Sequence, residues 1–210
     1  MEKKPIDLMS CKWWSQGAFT YVGRIQEIKG LGYIISAWLK LHETYKEITP
    51  PLWICGGTPE DIQQFRNSLE NKMDYKKLET SEEEQKLVWW GYLDFAGLST
   101  LYLKTKVLVT HSQYEPGGRV LLEAMASAVP VIATPNGFAK DLIKNGQNGF
   151  LVKYGDVDNL SIKMEAFITN SQISKTLGEN AKKTYLIQKK LWKCYQKQFE
   201  AYKKYGLSSF

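Results

Sequence analysis

The stretch His111-Ser-Gln-Tyr-Glu-Pro-Gly-Gly-Arg-Val-Leu-Leu-Glu-Ala-Met-Ala-Ser-Ala-Val-Pro-Val-Ile-Ala-Thr134 reads as a strand end, a loop, a helix and the next strand. Pro116, Gly117 and Gly118 break any preceding regular structure and open the helix. The amides of Gly117, Gly118, Arg119 and Val120 are then expected as first-turn donors that lack intrahelical partners. Such a helix start is a cradle for an anion. Glu115 lies just before the cradle and Glu123 about two turns into the helix, roughly 12 Å further along the axis if the intervening residues are helical. A diphosphate resting on the helix end would have one carboxylate beyond each side, one to hold a sugar and the other a ribose. A glutamate near a helix start is also ordinary dipole complementation. Here, though, the residues around Glu123 are apolar and small (Val120, Leu121, Leu122, Ala124, Met125, Ala126), so a carboxylate among them needs a partner.

Working outward towards the N-terminus, Ala18 to Val22 is the first expected strand. It runs into Gly23-Arg24-Ile25-Gln26-Glu27-Ile28-Lys29-Gly30, with a helix from Leu31 to Tyr45 behind it. Gly23 lets the backbone turn, and Arg24 and Lys29 fall at the carboxyl end of the strand, where open α/β sheets bind ligands. A guanidinium fork and an ammonium suit a diphosphate. Two basic residues in a loop are ordinarily just solvated, so they gain meaning only in company. No dinucleotide fingerprint of the G-x-G-x-x-G type is present.

The two motifs together resemble the large group 1 family of retaining glycosyltransferases with the GT-B fold. Glu115 to Glu123 matches its E-x7-E signature, and Gly23-Arg24-x4-Lys29-Gly30 its donor-phosphate motif. The family pattern usually has an aromatic residue in place of Gly117 and an apolar one in place of Arg119. The resemblance covers residues 20–152 and implies the C-terminal, donor-binding half of such an enzyme. It implies hexosyl transfer from a nucleotide-diphosphate sugar with retention. Glu115, Arg24 and Lys29 would take part in the chemistry, with Glu115 on the sugar, Glu123 on the ribose, and backbone near Tyr92 facing the base. Gly23, Gly117, Gly118, Arg119 and Val120 would complete the donor site. An N-terminal acceptor-binding domain or subunit would be the partner, and this piece alone would be inactive. No prosthetic group and no metal are implied. A nucleotide-sugar epimerase half and a non-enzymatic binding or membrane-docking module are the alternatives.

The rest of the chain fits an alternating pattern. Leu52 to Cys55 is a second strand, and Thr58 caps a helix with Pro59 at its first position. Residues 71–86, polar and acidic, read as a mobile connection or frayed helix. Leu87 to Leu93 is a third strand, Asp94 caps a short helix to Lys104, and Val107 to Thr110 and Val129 to Ala133 are strands. Asp156 and Asp158 read as helix capping rather than a metal pair. Two helices, Ser171 to Thr184 and Lys189 to Lys204, close the chain. The expected fold is α/β, a single Rossmann-like doubly wound parallel sheet of about six strands with helices on both faces. Residues 1–17 are expected as a tail, 18–185 as the donor-binding domain and 186–210 as a crossover helix.

At 210 residues with 43% hydrophobic and 24% charged content, the composition is that of a globular domain. No apolar run is long enough to cross a bilayer, and the start lacks a signal-peptide core, which makes a cytoplasmic protein the expectation. Cys11, Cys55 and Cys194 form no disulfide or metal pattern. The charge of +6 fits a phosphorylated small ligand, and nucleic acid is not an expected partner. The basic amphipathic last helix admits a peripheral membrane contact. His42 reads as an ordinary helix residue, and His111, beside the loop, as one within reach of ligand.

Overall fold

The computed structural model describes the backbone of residues 14–70, 72–115 and 118–204, and side chains between 15 and 193 within those spans. Six strands, β1 (Ala18–Val22), β2 (Leu52–Cys55), β3 (Leu87–Gly91), β4 (Thr105–Val109), β5 (Val131–Ala133) and β6 (Gly149–Leu151), form one sheet in the order β3-β2-β1-β4-β5-β6. Every neighbouring pair is parallel. The helices are α1 (Leu31–Tyr45), α2 (Pro59–Leu69), α3 (Tyr75–Glu83), α4 (Phe95–Leu103), α5 (Arg119–Ala126), α6 (Gly137–Leu142), α7 (Val157–Thr169) and α8 (Ile173–Lys204). This is the doubly wound α/β fold expected from the sequence.

The strands read as continuous apolar runs because both faces of the sheet are covered. Phe19, Tyr21, Leu52, Ile54, Val107 and Val109 point into a core closed by α1 and α7, through Ile34, Ile35, Trp38, Leu160, Met164 and Phe167. The alternate residues face the other way. Leu108 and Val131 meet Leu121, Ala124 and Met125 of α5, while Trp53 and Cys55 meet Trp90, Leu93 and Leu101. Helix α8 joins the second core through buried Ala181. There it approaches so closely that a Cβ on Gly178 would lie 2.0 Å from the Ala128 carbonyl oxygen.

The bounds of β1, α1, β2 and α2 are those read from the sequence, and α2 begins with a reciprocal capping box between Thr58 and Asp61. Two expectations are corrected. The polar segment 71–86 is neither mobile connection nor frayed end: it contains α3, capped by Asp74, with Leu78 and Ser81 buried. Asp74, Glu79, Glu83 and Glu84 are exposed, while Glu82 turns to Arg66 and the Trp89 indole. The two closing helices are one, α8, of 32 residues. Tyr185, Leu186, Ile187 and Gln188 include no breaker that would stop it, and the expected boundary at 186 falls inside it. Trp14–Gln16 form a short 3-10 turn, and residues 1–13 of the expected N-terminal tail lie outside the described residues.

Candidate functional site

The strand order reverses direction between β1 and β4, and at the carboxyl ends of these two strands lies a cavity of about 430 Å³. Crevices at such a switch point are where doubly wound sheets take their ligands. Gly23, Arg24, Lys29, Tyr92, Glu115, Gly118, Arg119, Val120 and Glu123 all line it. Gly117, also expected in the donor site, lies outside the described residues together with Pro116.

The basic loop is held from below. The Tyr21 hydroxyl donates to the Arg24 carbonyl oxygen at 2.6 Å, and burial, followed by the nearby Glu115 charge, keeps that phenol protonated well above its usual range. Gly23 is met by the end of β2, where a Cβ on Gly56 would stand 2.0 Å from the Gly23 carbonyl oxygen. The Gln113 amide donates to the Ile28 carbonyl oxygen at 2.8 Å, tying this loop to the one after β4. Gly30, at φ +66, takes the position where a Cβ would collide with the His111 carbonyl oxygen at 2.0 Å. Lys29, largely buried, pairs its Nζ with Glu115 Oε2 at 2.6 Å. The two motifs, about ninety residues apart in sequence, therefore meet through side chains as well as backbone.

The helix start differs from the expectation. Gly118, at φ 50, is the N-cap, α5 begins at Arg119, and the Gly118 amide donates to Glu115 Oε1 at 3.2 Å. The intrahelical ladder opens with Leu122 donating to the Gly118 carbonyl oxygen at 3.1 Å. The first-turn donors are thus Arg119, Val120 and Leu121, rather than a set that includes Gly118, because a left-handed cap residue turns its own amide back onto the loop. From the far side, the loop is fastened by Thr134 Oγ1 and Asn136 Nδ2, which donate to the Ser112 carbonyl oxygen at 2.6 and 2.8 Å. Asn136 also lines the cavity. The Thr-Pro-Asn-Gly turn was its only trace in the sequence.

Glu123, expected to be enclosed among apolar neighbours, is instead about a third exposed, and it still finds two partners. Tyr102 donates to Oε2 at 3.4 Å, and Arg119 Nε lies 3.4 Å from Oε1, one turn back on the same helix. Burial, then the Glu123 charge, holds the Tyr102 hydroxyl protonated. Cys55 sits in the cavity floor, and burial pushes its thiol up to about 11, so it is no nucleophile at neutral pH. Tyr92 stands on the rim with 80% of its surface exposed.

His111 does not line this cavity. It is buried, its Nε2 accepts from the Gly155 amide at 2.8 Å, and its ring stacks on Tyr154. Burial, partly offset by Asp156, lowers its pKa from 6.5 to about 4. The unfolded chain therefore takes up a proton below about pH 6.5 that the folded chain refuses until about pH 4, so stability falls as pH drops through that window. The loss is expected to reach at most about 3 kcal/mol at its lower end. Urea midpoints measured from pH 7 to 4 should fall more steeply for the native chain than for His111→Gln, and parallel curves would contradict this. Elsewhere, Asp156 caps α7 and Asp158 pairs with Lys40 at 2.6 Å. Among the described residues no cluster of three metal-ligating side chains is found.

The profile of glycosyl transferases group 1 matches residues 15–184 of this chain. The uncharacterized glycosyltransferase MJ1069 of Methanocaldococcus jannaschii is 30% identical over 185 residues, a match that spans 86% of this chain and 44% of the relative. The chain thus spans less than half the length of that relative. Among solved structures, the C-terminal domain of a glycosyl transferase group 1 family protein, LpcC of Francisella tularensis, superposes with a TM-score of 0.70 at 24% identity, covering 84% of this chain and 91% of that one. Anabaena Alr3699/HepE, solved in complex with UDP and glucose, superposes with a TM-score of 0.66 at 23% identity, covering 80% of this chain and 43% of that one.

Proposed function

The chain belongs to the group 1 glycosyl transferases, and we propose that it is the donor-binding half of a retaining hexosyltransferase that uses a uridine-diphosphate sugar. The observation that carries this is the convergence of Arg24, Lys29, Glu115 and Glu123 on one cavity at the sheet's switch point. The diphosphate rests on the Arg119, Val120 and Leu121 amides, faced by Arg24 and Lys29. The bond from the anomeric carbon to the diphosphate breaks, and the leaving oxygen keeps the electron pair. The charge that develops there meets donors already aimed at it, where they stabilise a transition state most effectively. Glu115 holds sugar hydroxyls, exchanging its contact with Lys29 for them, and Glu123, oriented by Tyr102, holds the ribose. Backbone beside Tyr92 faces the base. Uridine is chosen because HepE, of like fold, was solved with UDP and glucose.

The acceptor hydroxyl, which forms the new bond to the anomeric carbon and gives up its proton to the departing diphosphate oxygen, is supplied by a further domain or subunit. The length of the relative beyond this chain supports that reading. So do the outward-facing Leu186, Ile187 and Leu191 of α8, which are between 45% and 63% exposed and form a contact surface for that half. Without it, water is not excluded and the acceptor is not positioned, so this piece alone turns over negligibly. Among the described residues no helix is long and apolar enough to cross a membrane. The lysines flanking those three residues suit a bilayer surface as the secondary contact.

Thermal-shift titration with uridine-, guanosine- and adenosine-diphosphate glucose tests the reading. The uridine compound at a hundredfold excess over its Kd should raise the melting temperature by roughly 5–10 °C. Glu123→Ala should remove most of that shift. No difference among the three compounds, or a shift untouched in Glu123→Ala, counts against it.

A further inference from the structure

The loop between β1 and α1 has two sides. Arg24 and Lys29 face the cavity already described, whereas residues 25–28 line a second one of about 820 Å³ between the start of α1, α2 and Tyr154. The rings of Tyr33 and Tyr154 wall this space, 5.3 Å apart and nearly perpendicular, and Tyr154 is held from behind by His111, 5.5 Å away and stacked. Gln26 and Gln64 line it with amide groups that have no hydrogen-bond partner among the described residues. Its one lysine, Lys72, is bound to Glu27 at 3.2 Å.

This lining selects a chemistry. With its cation neutralised and carboxylates in the wall, the space disfavours phosphate or any other anion. Fixed aromatic faces beside unspent amides suit a compound with one apolar face and hydroxyls around its edge. We infer that the second cavity is a subsite for a neutral saccharide, holding a distal unit of the acceptor while the reacting unit crosses over the loop to the donor. The acceptor role rests on the proposed function. The saccharide site stands on its own lining.

Saturation-transfer difference NMR on the 210-residue chain, with the methyl glycosides of glucose, galactose, mannose and N-acetylglucosamine as probes, tests this. At least one probe should receive saturation, and keep it when UDP is present in excess. Tyr33→Ala should weaken that binding by about tenfold, the worth of a stacking contact. Gln64→Ala, at the helix surface, should weaken it severalfold with the melting temperature and UDP affinity unchanged. Saturation of none of the four probes, displacement of the probe by UDP, or binding untouched in both variants overturns the inference. A chain that binds a glycoside through Tyr33 but ignores UDP keeps the saccharide site and sinks the donor reading instead.

Discussion

Gly30→Ala is expected to cost about 3 kcal/mol or more of stability, the sum of left-handed backbone strain and an unrelieved overlap. The residue sits at φ +66, and its new Cβ would stand 2.0 Å from the His111 carbonyl oxygen, which is backbone and has no rotamer to adopt. For a chain of this size the melting temperature should fall by roughly 6–12 °C. Gly146→Ala is the control. It shares the positive φ, at +75, but a Cβ there meets nothing within 4 Å, so only the strain remains, about 1 kcal/mol. Equal melting temperatures for the two variants would show that the approach of the two loops is not tight. The larger loss would report the contact that sets Lys29 opposite Glu115.

Arg24→Ala is expected to weaken UDP binding by about 10- to 150-fold, the worth of a charge-assisted contact that is lost whole. Arg24 lines the cavity, and its backbone is pinned by the Tyr21 hydroxyl, so removing the side chain subtracts charge without releasing the loop. The exposed side chain contributes little to folding, so stability should stay within about 0.5 kcal/mol of native and the melting temperature within about 2 °C. Calorimetric titration separates the two readouts. Arg24→Lys should recover only part of the affinity, since an ammonium cannot reproduce the planar fork. An unchanged affinity in Arg24→Ala would remove that residue from the donor site.

The sequence carried the fold where punctuation and period agreed. Gly23 and Gly30 bracket the first loop, Pro51 and Thr58-Pro59 bracket β2, and the flanking β1, α1 and α2 share with β2 the bounds expected of them. It failed where composition spoke against geometry. The segment with Leu78 reads as solvated because nine of the sixteen residues from 71 to 86 are charged, yet Leu78 and Ser81, with Met73 and Tyr75 beside them, seat a helix. Arg24, Lys29, Glu115 and Glu123 were legible because their types and spacing are chemical. Tyr21 and Tyr102 were not: each occupies a position any core residue could fill, and only the folded arrangement brings its hydroxyl to Arg24 or Glu123. The ion pair between Lys29 and Glu115 was equally hidden, since spacing placed both residues near one ligand but said nothing of their contact with each other.

At 1.5 Å per residue the 32 residues of α8 make a rod about 48 Å long. Its fulcrum is where Gly178 rides on the Ala128 carbonyl and Ala181 sinks among Leu121, Ala124 and Met125. Those three belong to α5, whose opening turn carries the amides proposed to receive the phosphate. A pivot of about 10° at that point swings the last twelve residues of the rod through about 3 Å at their start and about 6 Å at Lys204. The same joint packs α8 against the helix that presents the amides of Arg119 and Val120.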